Sequence, residues 1–109
     1  ITGPKNIRAE KATALTGCTV LIKGNDSVIS APDRETVMQE EFAPYLATAG
    51  SGDVLAGMIC GLMAQGMGPF EATCAAAYLH SAMGQSFGAG LVASDLPDLI
   101  PFVLKNLDL

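Results

Sequence analysis

Ala47-Thr48-Ala49-Gly50-Ser51-Gly52-Asp53-Val54-Leu55 is a glycine-rich turn with one carboxylate, and it opens directly into an apolar segment that runs to about Gln65. Gly50 and Gly52 allow backbone angles that other residues resist, and they let a ligand approach the main chain closely. We expect a helix to begin here, with the amides of Ser51 to Val54 pointing outward because they precede the helical hydrogen bonds. Those N–H groups and the positive end of the helix dipole predict an anion site of the kind that binds phosphate.

Asp53 places a carboxylate beside this predicted anion site, which is electrostatically unfavourable unless the acid takes part in chemistry. A carboxylate in this position can accept the proton of a substrate hydroxyl that attacks a phosphoryl group held by the amides. The structural alternative is that Ser51 or Asp53 caps the helix and that the two glycines serve only the turn. Short glycine motifs recur by chance, so the turn by itself leaves both interpretations open.

Composition limits the class of protein. The 109 residues suffice for one small domain, yet half of them are hydrophobic and only 16% are charged. We therefore expect part of the apolar surface to be covered by a partner, and we predict a homo-oligomer. The net charge is −5, and the chain has no basic run and no aromatic ladder. This argues against a nucleic-acid-binding protein.

Cysteine usage and hydropathy bear on the compartment. Cys18, Cys60 and Cys74 are an odd number and form no Cys-x-x-Cys pair, so neither a disulfide framework nor a zinc site is predicted. We interpret them as small core residues in a reducing compartment, which predicts a cytoplasmic protein. The longest apolar run, residues 54–64, is far shorter than the ~20 residues that a membrane span needs. No membrane segment is expected.

The first half of the chain predicts a helix followed by short strands. An alanine-rich, charged segment at residues 6–16 is followed by Gly17, which is typical of a helix end. Residues 19–23 are β-branched and apolar without alternation, which suits a strand covered on both faces, as in a parallel sheet. Turn residues 24–26 then predict a hairpin. Beyond them we expect a second strand, a third strand at an edge, and a loop, at residues 27–30, 35–39 and 40–48.

The second half predicts three helices. The helix at residues 51–65 is apolar on nearly every side, which predicts a buried helix. A second helix starts at Pro69, runs to about Gly84, and has a small apolar centre suited to packing against the first helix or a sheet. After a glycine-rich loop at residues 85–91, Ser94 is predicted to cap the third helix. The apolar residues of that helix form one stripe, namely Leu96, Leu99, Ile100, Val103, Leu104 and Leu107.

Three segments in this order carry a resemblance to a known family: residues 21–29, residues 47–57, and residues 78–80 together with residues 91–96. From about residue 12 to residue 107 the chain resembles the ADP/ATP-dependent NAD(P)H-hydrate dehydratases. These are the carbohydrate-kinase-like C-terminal domains of the YjeF type, in the ribokinase-like superfamily. The glycine turn alone indicates only the superfamily. The lysine-glycine hairpin and the Ala-Ser-Asp-Leu helix start narrow the resemblance to the dehydratases.

The resemblance implies a fold and an activity. The fold would be α/β, with residues 1–109 as the C-terminal part of a single ribokinase-like domain, a short hairpin followed by three helices. Family members are considerably longer, so the resemblance implies that the N-terminal part of the domain is absent. The activity would be that of a lyase that uses ADP or ATP with Mg²⁺. The nucleotide phosphorylates the hydroxyl of hydrated NAD(P)H, and loss of the phosphate restores NAD(P)H.

The resemblance also assigns roles to residues. Gly52 would contact the nucleotide phosphates, and Asp53 would contact the hydrated nicotinamide as the catalytic base. The anion hole would consist of the amides of Gly50, Ser51, Gly52 and Asp53. The adenine nucleotide would be lined by five hairpin residues, namely Lys23, Gly24, Asn25, Asp26 and Ser27. No dedicated metal ligands are predicted, and Mg²⁺ would bridge phosphates.

Two other functions stay open. A small-molecule kinase of the same superfamily, acting on a sugar, a hydroxymethylpyrimidine or a hydroxyethylthiazole, would share the glycine turn but differ in the hairpin at residues 23–29. A non-catalytic packing or oligomerisation fragment would explain helices with little polar surface.

Several polar residues also have structural explanations. Lysine at a strand end, such as Lys23, is usually just solvated, and Asp95 and Asp98 suit the first turn of a helix because of its dipole. His80 is the only histidine, and it lies in an alanine-rich helix without visible carboxylate or cysteine partners. We interpret His80 as a structural residue.

Overall fold

The structure is a computed structural model that describes residues 2–24, 26–40 and 49–106. Helix α1 (Lys5–Thr16) precedes three strands, and three further helices follow them. The strands are β1 (Val20–Ile22), β2 (Asp26–Ser30) and β3 (Val37–Glu40), and the later helices are α2 (Ser51–Ala64), α3 (Pro69–Phe87) and α4 (Leu96–Asn106). The α/β prediction is confirmed. Asn25, Leu107 and the predicted loop beyond Glu40 lie outside the described residues.

The three strands form an antiparallel sheet in the order β1-β2-β3. The register pairs Leu21 with Ile29 and Ser27 with Gln39. The predicted hairpin and the third strand at an edge are therefore confirmed. In the described part of the chain β1 pairs with β2 alone and its residues are half-buried, so the prediction of a strand covered on both faces is wrong there. An apolar run shows that a strand tolerates burial on both faces, and the neighbours decide how much of it is covered.

The sheet lies between α1 and α3, because β2 is buried on both faces. Gln39 of β3 donates a hydrogen bond to the backbone of α3, so its strand partner Ser27 lies on the same face. The alternate residues Val28 and Ser30 lie on the opposite face, which α1 covers. This arrangement fixes which hairpin side chains turn inward.

The helical half has its own core, in which α2, α3 and α4 pack together. Leu96 and Val103 of the predicted stripe are buried, Leu99 and Ile100 are partly buried against them, and Leu104 is 39% exposed. Met83 of α3 and Leu91 complete the cluster. Burying a side chain of this size contributes about 1.5–3 kcal/mol. The predicted contact between the first two helices of this half is confirmed.

Two boundaries differ from the sequence prediction. α3 continues past Gly84 to Phe87, because Gly84 is buried in the helix and the left-handed residue Gly88 ends it. Ser94 does not cap α4, since it lies inside a 3₁₀ turn, Ala93–Asp95, that leads into the helix. The carboxylate of Asp95 instead accepts a hydrogen bond from the Val92 amide at 3.0 Å. Asp95 reaches back across the turn, which its position in the sequence does not reveal.

The prediction that α2 is a buried helix is wrong for the described residues. Only Ser51 and Leu55 are buried, because α3 and α4 cover one side of the helix. The other side exposes mainly small residues: Gly52, Ala56, Gly57, Cys60, Gly61 and Ala64. Apolar composition shows that a helix tolerates burial, and the neighbours decide how much of it is covered. None of the helices in the described part of the chain is long and apolar enough to cross a membrane.

The cysteines are less buried than predicted. Cys18 and Cys60 are exposed, and Cys74 is partly buried, so the interpretation as core residues is wrong for the first two. Burial raises the pKa of the Cys74 thiol, the carboxylate of Glu71 adds to that rise, and the guanidinium of Arg34 opposes it. A cysteine is small enough for either environment, so composition alone does not separate them.

Candidate active site

The glycine turn begins α2 in the way the sequence predicts. Gly50 precedes the helix in the left-handed conformation, with φ of 88° and ψ of −9°. The Val54 amide donates to the Gly50 carbonyl at 3.2 Å. The expectation that the Val54 amide points outward is therefore wrong, since the helix itself uses it. The amides of Ser51, Gly52 and Asp53 precede this first helical bond, and they are the ones that can face an anion.

The structure does not support the alternative of a capped helix. Among the residues that the structure describes, no side chain accepts a capping hydrogen bond at this end of α2, and the cap residue is Gly50 itself. Asp53 lies in the first turn of α2 and is exposed. Its carboxylate is favourable beside the positive end of the helix dipole, and it is open to a ligand that approaches the turn.

Ser51 points away from solvent into a contact that the sequence did not predict. Its side-chain Oγ and its carbonyl oxygen each lie 3.0 Å from Nε2 of His80 in α3. Both residues are buried, with Ser51 3% exposed and His80 1% exposed. A carbonyl oxygen only accepts hydrogen bonds, so the tautomer that fits this contact carries its proton on Nε2. His80 is buried, as a structural histidine is expected to be, but it lies directly against the glycine turn.

The 3₁₀ turn before α4 packs on the same glycine turn. A Cβ atom built on Gly50 would lie 3.2 Å from the Cβ of Ala93. Both the positive φ and this close approach disfavour any residue with a side chain at position 50. The segment at residues 91–96 carried part of the resemblance, and its tertiary position explains why it accompanies the glycine motif.

The hairpin loop presents exposed polar residues. Lys23, Gly24 and Asp26 are exposed, and Asn25 lies outside the described residues. Nζ of Lys5 in α1 donates to the Asp26 carbonyl at 2.7 Å. A Cβ atom on Gly24 would collide with this Lys5 nitrogen. Lys5 therefore adds a second cation to the loop. No local sequence pattern indicates this contact, because it joins residues 21 positions apart.

Ser27 behaves differently from its neighbours in the hairpin. It is 3% exposed and lies in the sheet on the face toward α3. The structure thus brings Lys23, Gly24 and Asp26 together at the surface and turns Ser27 inward. The nucleotide-binding role of Ser27 stays a prediction.

One stretch of α3 contacts both the sheet and the glycine turn. Nε2 of Gln39, the strand partner of Ser27, donates to the Ala77 carbonyl at 3.1 Å and lies 3.5 Å from Oγ of Ser81. His80 lies between these positions and contacts Ser51. Residues 77–81 therefore contact the sheet on one side and the glycine turn on the other.

Two open clefts, of about 790 and 730 Å³, lie outside the glycine turn. The first is lined by α1 and the turn between β2 and β3, and the second by β1, α2 and the start of α3. Neither includes residues 50–53. Within residues 2–24, 26–40 and 49–106, no three His, Cys, Asp or Glu side chains are grouped so that they could hold a metal ion.

Comparison with known proteins agrees with this arrangement. A family model described as NAD(P)H-hydrate dehydratase matches residues 5–104. The chain belongs to this family. It is 44% identical over 94 residues to the bifunctional NAD(P)H-hydrate repair enzyme Nnr of Moorella thermoacetica. It is also 44% identical over 92 residues to the ADP-dependent (S)-NAD(P)H-hydrate dehydratase of Neisseria meningitidis.

Solved structures show the same fold. The ADP/ATP-dependent NAD(P)H-hydrate dehydratase of Bacillus subtilis, co-crystallised with ATP and Mg²⁺, aligns with 94% of this chain at a TM-score of 0.85 and 31% identity. A ribokinase-like superfamily protein from Enterococcus faecalis aligns with 89% of it at a TM-score of 0.80 and 28% identity. The ribokinase-like fold predicted for the chain is confirmed.

The similarity covers most of this chain but a small part of its relatives. The matches take in 82% and 79% of the chain, yet 18% and 31% of the Moorella and Neisseria proteins. The aligned part of the Bacillus structure is 39% of that chain.

Proposed function

We propose that the complete polypeptide carrying this sequence dehydrates NAD(P)H hydrate with ADP or ATP as phosphoryl donor. The observation that carries the proposal is the start of α2, where the amides of residues 51–53 precede the first helical bond beside the exposed carboxylate of Asp53. The family of the chain and the names of its relatives support the substrate. We further propose that residues 1–109 form the C-terminal part of one ribokinase-like domain.

The proposed reaction is a phosphoryl transfer followed by an elimination. The hydroxyl oxygen of the hydrated nicotinamide attacks the terminal phosphorus, its proton passes to Asp53, and the bond from phosphorus to the nucleotide oxygen breaks. The amides of Ser51, Gly52 and Asp53 stabilise the charge that develops on the phosphoryl oxygens. The phosphate then leaves carbon together with a neighbouring proton, and the ring double bond of NAD(P)H returns.

The hairpin loop is the proposed nucleotide half of the site. Lys23 and Lys5 supply positive charge near the exposed Gly24 and Asp26, and Asn25 and Ser27 belong to the same proposed set. Mg²⁺ usually binds through substrate phosphates and one or two carboxylates. We propose that the nucleotide phosphates would hold Mg²⁺ here, without a dedicated set of protein ligands.

The exposed small residues of α2 bear on assembly. Ala56, Gly57 and Gly61 form a surface that a neighbour can approach closely. This supports a covered α2 in the complete protein, through further sequence of the same domain or a second copy. A homo-oligomer and a cytoplasmic location remain parts of the proposal.

An assay of the complete polypeptide with hydrated NADH, Mg²⁺ and ADP or ATP tests this function. We expect the near-ultraviolet absorbance of NADH to return, with one orthophosphate released for each NADH formed and none without nucleotide. Phosphorus NMR distinguishes the rivals. A stable phosphorylated small molecule with no NADH would indicate a kinase of the same superfamily. Nucleotide that is neither bound nor consumed would indicate a packing fragment.

A further inference from the structure

The chain has a single histidine, and it lies against the glycine turn. We propose that His80 is a positioning residue that aims the Gly52 amide at the phosphate. The inference rests on the proposed function of the turn, because it names the side chain that sets the turn's geometry. His80 itself is buried behind Ser51, so it acts through the main chain.

The peptide plane between Ser51 and Gly52 transmits the effect. Nε2 of His80 donates to the Ser51 carbonyl at 3.0 Å and thereby holds that oxygen on the buried side of the turn. In a trans peptide the carbonyl and the following N–H lie in one plane and point in opposite directions. Holding the Ser51 carbonyl inward therefore turns the Gly52 N–H outward. Gly52 is exposed, so its amide faces the side from which a ligand approaches.

Ser51 is held by its side chain as well. Its Oγ also lies 3.0 Å from Nε2, so one ring nitrogen contacts both the main chain and the side chain of the first helical residue. The pair is almost fully buried, where water does not replace a lost hydrogen bond. A carbonyl oxygen has two lone pairs, so it can accept from His80 in addition to its helical partner.

The support behind His80 is continuous with the sheet. His80 lies in the stretch of α3 whose Ala77 carbonyl accepts a hydrogen bond from Gln39. Gly50 of the same turn approaches Ala93. The turn therefore packs against both α3 and the 3₁₀ turn, and His80 makes a polar contact with it.

A matched pair of substitutions tests this role. In His80→Gln the amide nitrogen reaches the position of Nε2 and still donates, whereas in His80→Asn it is one methylene too short. In the complete polypeptide we expect His80→Asn to lower kcat by about 10–100-fold, as a misplaced anion hole does. We expect His80→Asn to weaken binding of ADP, with the KM for hydrated NADH unchanged. His80→Gln should restore both kcat and ADP affinity to within about threefold, the loss expected when a hydrogen bond is replaced by a similar one.

Thr73→Ala is the control for a merely structural contribution. Thr73 of α3 is also buried, and its Oγ1 donates to the Pro69 carbonyl of the same helix at 2.7 Å. Its replacement should leave kcat and ADP affinity unchanged. A drop in kcat for Thr73→Ala as large as that for His80→Asn would overturn the proposal, because the loss would then follow from any damage to α3.

NMR of the glycine amides needs no enzymatic turnover, so it tests the role of His80 separately from the proposed function. In protein labelled with ¹⁵N-glycine, His80→Asn should shift the Gly50 and Gly52 amide resonances, and His80→Gln and Thr73→Ala should leave them near their original positions. If the unsubstituted protein forms no NADH, the proposed function fails, and the glycine resonances together with the ADP titration still decide the role of His80.

The comparison of His80→Gln with His80→Asn decides whether the proposal holds. Gly52 resonances, ADP affinity and kcat that are the same in His80→Gln and His80→Asn would overturn the proposal. If His80→Asn does not fold, His80→Gln alone decides: a native Gly52 resonance with native kcat supports the role, and a collapsed kcat in a folded His80→Gln protein overturns it.

Discussion

The glycine turn and the hairpin loop form the two halves of the candidate site, and different kinds of contact hold them. The turn at residues 50–53 is fixed by tertiary contacts, with His80 behind Ser51 and Ala93 beside Gly50. The loop at residues 23–26 is fixed by pairing of its own strands and by one contact from α1. The turn offers main-chain amides, and the loop offers exposed side chains. Substitutions in the turn should therefore change turnover or phosphate binding, and those in the loop should change nucleotide affinity alone.

Asp53→Ala should have the largest effect. Removing the proposed base should lower turnover of hydrated NADH by about 10²–10⁴-fold. Binding of the nucleotide should remain within about threefold, because amides and not the carboxylate hold the phosphates. Steady-state kinetics and calorimetric titration with ADP measure the two quantities. Equal losses of binding and turnover would show that Asp53 holds the nucleotide instead of taking the proton.

A pair of glycine substitutions should separate folding from binding. Gly50→Ala should destabilise the protein by about 1–3 kcal/mol, because φ is 88° and the new methyl group would press on Ala93. Gly52→Ala should leave stability intact, since a Cβ there meets no atom within 4 Å. It should still weaken ADP binding if phosphate approaches the main chain at this point.

Thermal unfolding and ADP titration of both glycine variants provide the measurement. Gly61→Ala is the control, because it lies in α2 away from the turn and its Cβ meets no atom within 4 Å. Unchanged ADP affinity in Gly52→Ala would argue that phosphate does not approach residue 52.

Lys23→Met should have a smaller effect confined to affinity. An exposed charge contributes about 0.2–1 kcal/mol, which corresponds to a Kd for ADP that rises about 1.4-fold to fivefold. The difference from the unsubstituted protein should shrink at high salt, because exposed charges are screened. The kcat at saturating nucleotide should not change. A loss of kcat with unchanged Kd would place Lys23 in the chemistry and remove the proposed division between the two halves.

Arg34 and Glu71 should have the smallest effect, far from both halves. They form an exposed ion pair at 3.0 Å, and Arg34 also lies 4.9 Å from the Phe70 ring centroid. Arg34→Gln should raise the pKa of Cys74 further, because it removes the cation that lowers it, and Glu71→Gln should lower that pKa. The pH dependence of Cys74 alkylation, followed by mass spectrometry, measures both shifts. Shifts in the same direction would contradict this assignment of causes.

Local patterns predicted most of the elements. The hairpin at Gly24-Asn25-Asp26, the helix after Gly50 and the apolar stripe of α4 each depend on neighbours within a few residues, so the sequence reveals them. The predictions that were wrong concern how far neighbouring elements cover a helix or strand. The pattern of α2 did not reveal that one side is exposed, and the pattern of β1 did not reveal that its residues are only half-buried.

Local patterns likewise revealed some residues of the candidate site and not others. Gly50, Gly52 and Asp53 could be named from the sequence, because a glycine turn that opens a helix has the same geometry in any protein. His80 and Lys5 could not, since their partners are 29 and 21 positions away. Ser27 was named with the loop, but the pairing of β2 with β3 turns it toward α3.

The sequence by itself determined where the helices and strands form, where main-chain amides are exposed, and which carboxylate accompanies them, because these properties depend on short-range sterics and hydrogen bonding. Only the tertiary structure decided that α3 contacts both the sheet and the glycine turn and that His80 lies against the Ser51 carbonyl. Those contacts join residues far apart in the chain. Their geometry follows from how the helices and the sheet pack, which no local pattern encodes.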